Sequence, residues 1–123
     1  MTTETKRQKQ VAGLINEELN NIFLRMGLNM MDGGMISIAS VKITPDLYEA
    51  RVYLSLIQVK DTQATLLKFE ERNKEIRKEL GMRVRHQLRS IPELKFFIDD
   101  TLDYAFKMEE LFQKIKEDEK KIG

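Results

Sequence analysis

The segment Tyr48–Leu56 alternates without a break, with Ala50, Val52, Leu54 and Leu56 on one side and Arg51, Tyr53 and Ser55 on the other. Successive side chains of a strand project to opposite faces, so this pattern describes a strand with one dry and one wet face. Such a strand belongs to a sheet covered on one side only. The rest of the chain must therefore supply partner strands and amphipathic helices to cover the dry face.

Both are legible. Met35–Thr44 carries Ile36 and Ile38, then Val41 and Ile43, and the change of phase near Ala39-Ser40 is what a β-bulge produces. Thr44-Pro45-Asp46 lies between the two segments with proline at the second turn position, so the pair reads as a hairpin. Before them, Thr5–Met26 places Ala12, Ile15, Leu19, Ile22, Phe23 and Met26 at helical spacing, and Gly27–Gly34 reads as a loop. After them, Lys60-Asp61-Thr62 opens a helical run through Leu66, Leu67 and Phe69, continued by Ile76, Leu80, Val84 and Leu88. A run from Thr62 to Ser90 is too long for one helix in a chain of 123 residues, and Asn73 is a poor interior residue, so a break is expected near Arg72–Lys74. Pro92 ends the helical pattern, and Leu94–Ile98 reads as a third strand with Phe96 and Ile98 in the core beside Leu54. Asp100 or Thr101 then caps a last helix bearing Leu102, Ala105, Met108, Leu111, Phe112 and Ile115. The predicted class is α+β, order α-β-β-α-α-β-α, with helices on one face of a three-stranded sheet. A single domain over residues 1–123 is expected, with the ends fraying over about 1–5 and 117–123.

Composition removes several kinds of function. There is no cysteine, which excludes disulfides, thiolate metal sites and cysteine nucleophiles. His86 is the only histidine, so no histidine relay or histidine metal cluster is available. Gly33-Gly34 precedes a strand, so it cannot present a phosphate to a helix N-terminus. Asp99-Asp100 are strand neighbours that point to opposite faces, which suits capping better than paired acid–base work. No apolar run reaches the roughly 20 residues of a membrane span. No signal or transit pattern opens the chain, so the expectation is a cytoplasmic protein with no catalytic site, cofactor, metal or small-molecule substrate.

A formal net charge of +1 conceals a strong asymmetry. Arg72–Arg89 holds seven basic residues against two acids, Glu75 and Glu79, whereas Glu93–Lys120 holds nine acids against five bases. On a continuous helix Lys74, Lys78, Arg85 and Arg89 fall within an arc of roughly 60°, apart from the core arc of Ile76, Leu80, Val84 and Leu88. Most charge runs are solvated surface. A one-signed stripe with few acids nearby instead fits the phosphates of a nucleic acid. Arg72 and Arg83 project from the other flank, and Lys6, Arg7 and Lys9 offer a further basic group.

Several of these segments carry a family resemblance. Ile76-Arg77-Lys78-Glu79-Leu80-Gly81 and Ile91–Leu102, with its Pro-Glu-Leu-x-Phe-x-x-Asp pattern at Pro92–Asp99, resemble ribosome-binding factor A. So do Thr44-Pro45-Asp46-Leu47 and Ala50–Ser55 of the hairpin. The resemblance implies a type II KH-like domain without the glycine-rich KH loop, and the chain indeed contains no Gly-x-x-Gly. It implies a factor that binds the immature small (30S) ribosomal subunit and assists late maturation of 16S rRNA, including its 5′ end, with importance in the cold. It also implies a kink of the form Ala-x-Gly between the central helices, where this chain has Arg72-Asn73-Lys74. On this reading a monomer contacts 16S rRNA through Lys74, Lys78, Arg85 and Arg89, with Arg72, Arg83, Lys6, Arg7 and Lys9 as secondary contacts. The alternative is a protein–protein adaptor that works through the acidic C-terminal helix.

Overall fold

The computed structural model describes residues 4–31 and 33–99. α1 (Lys6–Met26) is fixed at both ends by short-range chemistry. Thr5, expected in the fraying terminus, instead caps the helix: its hydroxyl accepts from the Gln8 backbone N–H at 3.1 Å, and the Gln8 amide oxygen accepts from the Thr5 N–H at 2.8 Å. Gln8 is also buried, and its side-chain amide donates to the Ile43 carbonyl at 2.9 Å, tying the start of α1 to the end of the adjacent strand. Gly27, at φ +72°, ends the helix in the left-handed region that glycine adopts without steric cost. The apolar stripe is buried as the spacing requires, Val11 joins it, and Met26 is half-buried.

The sheet has four strands rather than three, in the order β1-β2-β3-β4. β1 (Met30–Met31) lies within the predicted loop and pairs antiparallel with the start of β2 (Gly34–Ile43). Two residues carry no readable periodicity, which is why the sequence pattern missed it. Gly34 also lets the start of β2 pass close to residues 57–59, since a Cβ would stand 2.5 Å from the Ile57 carbonyl oxygen. β2 pairs antiparallel with β3 (Glu49–Ile57), and the register shifts between Ile38 and Ser40, as the phase change predicts. β4 (Glu93–Ile98) lies parallel to β3, with Glu49 opposite Glu93 and Leu54 opposite Ile98.

A parallel neighbour requires a crossover, here made by two helices. α2 (Thr62–Glu71) is capped by Asp61, whose carboxylate accepts from the Ala64 N–H at 3.0 Å. α3 (Asn73–Val84) follows after a break at Arg72 (φ −97°, ψ 9°). The expected break is therefore present without any residue at positive φ. Asn73 holds it by donating from its side chain to the Leu94 carbonyl at 2.8 Å. α3 ends at Val84, earlier than the apolar pattern suggests: the Val84 carbonyl accepts from both Gln87 and Leu88, so Leu88 still enters the core from a turn. The expected final helix and its cap at Asp100 or Thr101 lie outside the described residues.

α1 packs on β2 and α3, and α2 on β4, covering one face of the sheet. Phe23 of α1, Phe69 of α2 and Phe96 of β4 meet edge-on or tilted, with ring centroids 5.1, 5.6 and 6.4 Å apart. Leu54 is fully buried and Phe96 is 5 % exposed, while Ile98, expected in the core, is only partly covered at the strand end. Truncating Phe96 to alanine is expected to destabilise the fold by about 3–5 kcal/mol. Chemical denaturation reads this as a lowered midpoint. An unshifted midpoint would show that this ring does not hold the helices to the sheet.

Candidate nucleic-acid interface

α3 presents Lys74 and, one turn further on, Arg77 and Lys78, opposite the irregular segment that leads from Arg89 into β4. Between them lies an open groove of ≈ 840 Å³ lined by these three, Gly81, Arg89 and Ile91, among others. Arg77 builds it, donating from Nη2 to the Ile91 carbonyl at 2.7 Å and from Nε to the Pro92 carbonyl at 3.2 Å. These bonds fasten the segment before β4 to α3. Arg77 was not among the residues singled out from the sequence, although its i+3 spacing from Lys74 places it on the same side.

The predicted stripe survives only in part. Its four-residue arc needs a helix running to Arg89, and α3 stops at Val84. Arg85 sits just past the helix with its Nε 3.4 Å from the His86 ring and does not line the groove. Arg89 reaches the groove because the chain bends back after Leu88. Lys74, Lys78 and Arg89 are exposed, and none has a carboxylate partner among the described residues. Among the described residues Glu93 is the one acid lining the groove.

Other cations are already engaged. Arg72 pairs with Glu75 at 3.1 Å, and Arg83 reaches Glu18 at 3.4 Å and Glu79 at 3.5 Å. Arg25 of α1 donates to both Glu79 oxygens, so α1 and α3 are clamped through one nearly buried carboxylate. The hydrogen bond from Arg25 holds the Glu79 carboxyl below the usual glutamate range, against the opposing effect of burial. Lys6, Arg7 and Lys9 crowd the first turn of α1, where the helix dipole disfavours positive charge and no acid is present to offset them. Of these, Arg7 shares a second hollow with Arg89, while Lys6 and Lys9 are exposed and line neither recess. Among the described residues no group of acids and histidine could hold a metal ion, and no helix is long and apolar enough to cross a membrane.

A family model described as ribosome-binding factor A matches residues 7–112. A ribosome-binding factor A from Cytophaga hutchinsonii is 42% identical over 120 residues, covering 94% of this chain and 90% of that one. The chain belongs to the ribosome-binding factor A family. A second member, from Chlorobium chlorochromatii, is 39% identical over 113 residues, covering 91% and 89%. The fold matches the crystal structure of ribosome-binding factor A from Thermus thermophilus with a TM-score of 0.62, covering 74% of this chain and 94% of that one at 14% identity. A Thermus thermophilus homology model of the factor, fitted into a cryo-EM map of its complex with the 30S subunit, matches with a TM-score of 0.54 at 18% identity, covering 79% and 96%.

The Glu79 clamp has a pH signature. A carboxyl whose pKa is lower in the folded than in the unfolded chain stabilises the fold above the unfolded value, and that contribution is lost as pH falls through the folded one. The thermal midpoint should therefore drop as pH falls below the ordinary glutamate value of about 4.3. Glu79→Gln should be less stable at pH 7 and show a shallower decline across the acid range. Parallel declines in the two proteins would remove Glu79 from the account.

Proposed function

We propose that this chain is an assembly factor of the small ribosomal subunit: a cytoplasmic monomer with a type II KH-like fold that binds immature 30S particles. It assists late 16S rRNA maturation, including that of the 5′ end, without catalytic chemistry of its own. The observation that carries the reading is the set Lys74, Lys78 and Arg89, which line one groove with no acid paired to them among the described residues, while Arg25, Arg51, Arg72, Arg83 and Lys95 are tied to carboxylates. Free cations along an open groove suit a phosphate backbone, which rewards charge and tolerates varied sequence. Family membership supports the same partner, as does the fold shared with the 30S-bound Thermus thermophilus factor. The order α1-β2-β3-α2-α3-β4, with β3 and β4 parallel, supports the KH-like assignment.

Arg85 remains exposed just past α3 and serves as a peripheral contact, and Lys6, Arg7 and Lys9 extend the field from α1. Arg72 and Arg83 are held by acids and act chiefly in the fold. A factor of this kind favours an immature rRNA arrangement by binding it better than the mature one, and it leaves when the balance reverses.

Reversing Lys78 and Arg89 to glutamate is expected to release the protein from small subunits in sucrose gradients while leaving the thermal midpoint unchanged. The salt dependence of binding should flatten by about one unit of slope per phosphate contact removed. Cells carrying the variant should accumulate precursor 16S rRNA, most strongly in the cold. Reversing Glu109 and Glu110 is the control and should have little effect. If the acidic variant loses the subunit and the basic variant keeps it, the chain is an adaptor instead.

A further inference from the structure

The hollow shared by Arg7 and Arg89 differs in chemistry from the groove beside it. It encloses ≈ 490 Å³, and its lining includes the apolar side chains of Val11, Leu47, Leu88 and Pro92. Val11, Leu88 and Pro92 are buried, so they give the hollow an apolar part of its lining, whereas Arg7, Arg89 and Tyr48 are exposed. Tyr48 stands 67% exposed at the hairpin turn, a large aromatic side chain with no ring contact of its own among the described residues. The turn that sets it there holds Leu47 at φ +64°, a conformation uncommon for a bulky side chain. Asp46 also lines the hollow, and its Oδ1 accepts from the Thr44 hydroxyl at 2.6 Å and the Tyr48 N–H at 3.0 Å. An anion on that side repels a phosphate and leaves the place to a neutral, planar group able to donate hydrogen bonds.

Arg89 and Ser90 line both recesses, so the groove and the hollow are neighbours on either side of these two residues. We propose that the hollow receives an unpaired nucleobase of a single-stranded RNA segment whose phosphates follow Lys74, Lys78 and Arg89. The base stacks on Tyr48, its sugar-phosphate lies between Arg7 and Arg89, and the apolar residues exclude water beneath it. Unstacked bases laid on aromatic rings or guanidinium planes are the usual means by which proteins read single-stranded RNA. The proposal rests on the rRNA-binding reading above and adds to it a site for a base where that reading has only phosphate contacts.

The test compares octa-adenylate RNA with an abasic octamer of the same length and charge, titrated against the full chain and followed by fluorescence anisotropy. The expected result is a preference for the base-bearing strand of at least about fivefold, as one stacked base provides. Tyr48→Ala should abolish that preference with an unchanged salt slope, and Tyr48→Phe, which keeps an aromatic face, should retain it. Because Tyr48 is mostly exposed, both variants should melt like the parent chain, and a matching thermal midpoint verifies this. Salt-dependent binding of both strands with equal affinity overturns the hollow but leaves the phosphate groove standing. A preference that survives in Tyr48→Ala also overturns it. Failure to bind either strand at low salt overturns the RNA-binding reading and this site with it. Weakened subunit association in Tyr48→Ala, with the RNA preference intact, would assign the hollow to a protein side chain instead.

Discussion

The contact of Phe23, Phe69 and Phe96 is the constraint on which the other elements depend. Each ring comes from a different element, and each is almost wholly withdrawn from water. The three rings share one volume where α1, α2 and β4 meet, so the junction ties both helices to the same strand of the sheet. Close-packed interiors transmit such constraints because no slack volume absorbs a displacement. The Arg25–Glu79–Arg83 cluster adds directional polar bonds at the other side of α1, where it meets α3. Together they leave α3 little freedom, and α3 carries the groove.

The same arrangement separates cations that build from cations that remain available. Arg77 spends its guanidinium on two backbone carbonyls and shapes the segment opposite Lys74 and Lys78. Arg25 and Arg83 neutralise a carboxylate that would otherwise sit nearly buried and alone, an arrangement that is costly to leave unpaired. Among the described residues Lys74, Lys78 and Arg89 have no such partner, and all three are exposed.

Most of the fold was legible because its elements are long enough to show a period. Val52, Leu54 and Leu56 announce a one-sided strand, and Ile15, Leu19 and Ile22 announce the helix that covers it. The bulge at Ala39 and the break beside Asn73 could be read because each interrupts a period that is otherwise clean. β1 could not be read, since two methionines carry no pattern. The site was harder for a related reason. Leu88 falls on the same apolar arc whether or not the helix continues, so the pattern overstated α3 and placed Arg85 and Arg89 on one stripe. Arg77 bonds a tertiary neighbour, the Pro92 carbonyl, and Tyr48 lines a hollow with Arg89, which is distant in sequence, so no local periodicity reports either.

The parallel pairing of β3 with β4 bears on when this surface comes into being. β4 can take its place only after the chain has traversed both crossover helices, and closing so long a connection sacrifices chain entropy before its contacts repay it. The segment from Arg89 to Pro92, which forms one wall of the groove, is positioned by that final docking and by Arg77. A nascent chain that has emerged only as far as α3 carries the same lysines but no groove to hold them. The groove therefore exists only once β4 has docked, and a copy without that docking displays the lysines with no opposing wall.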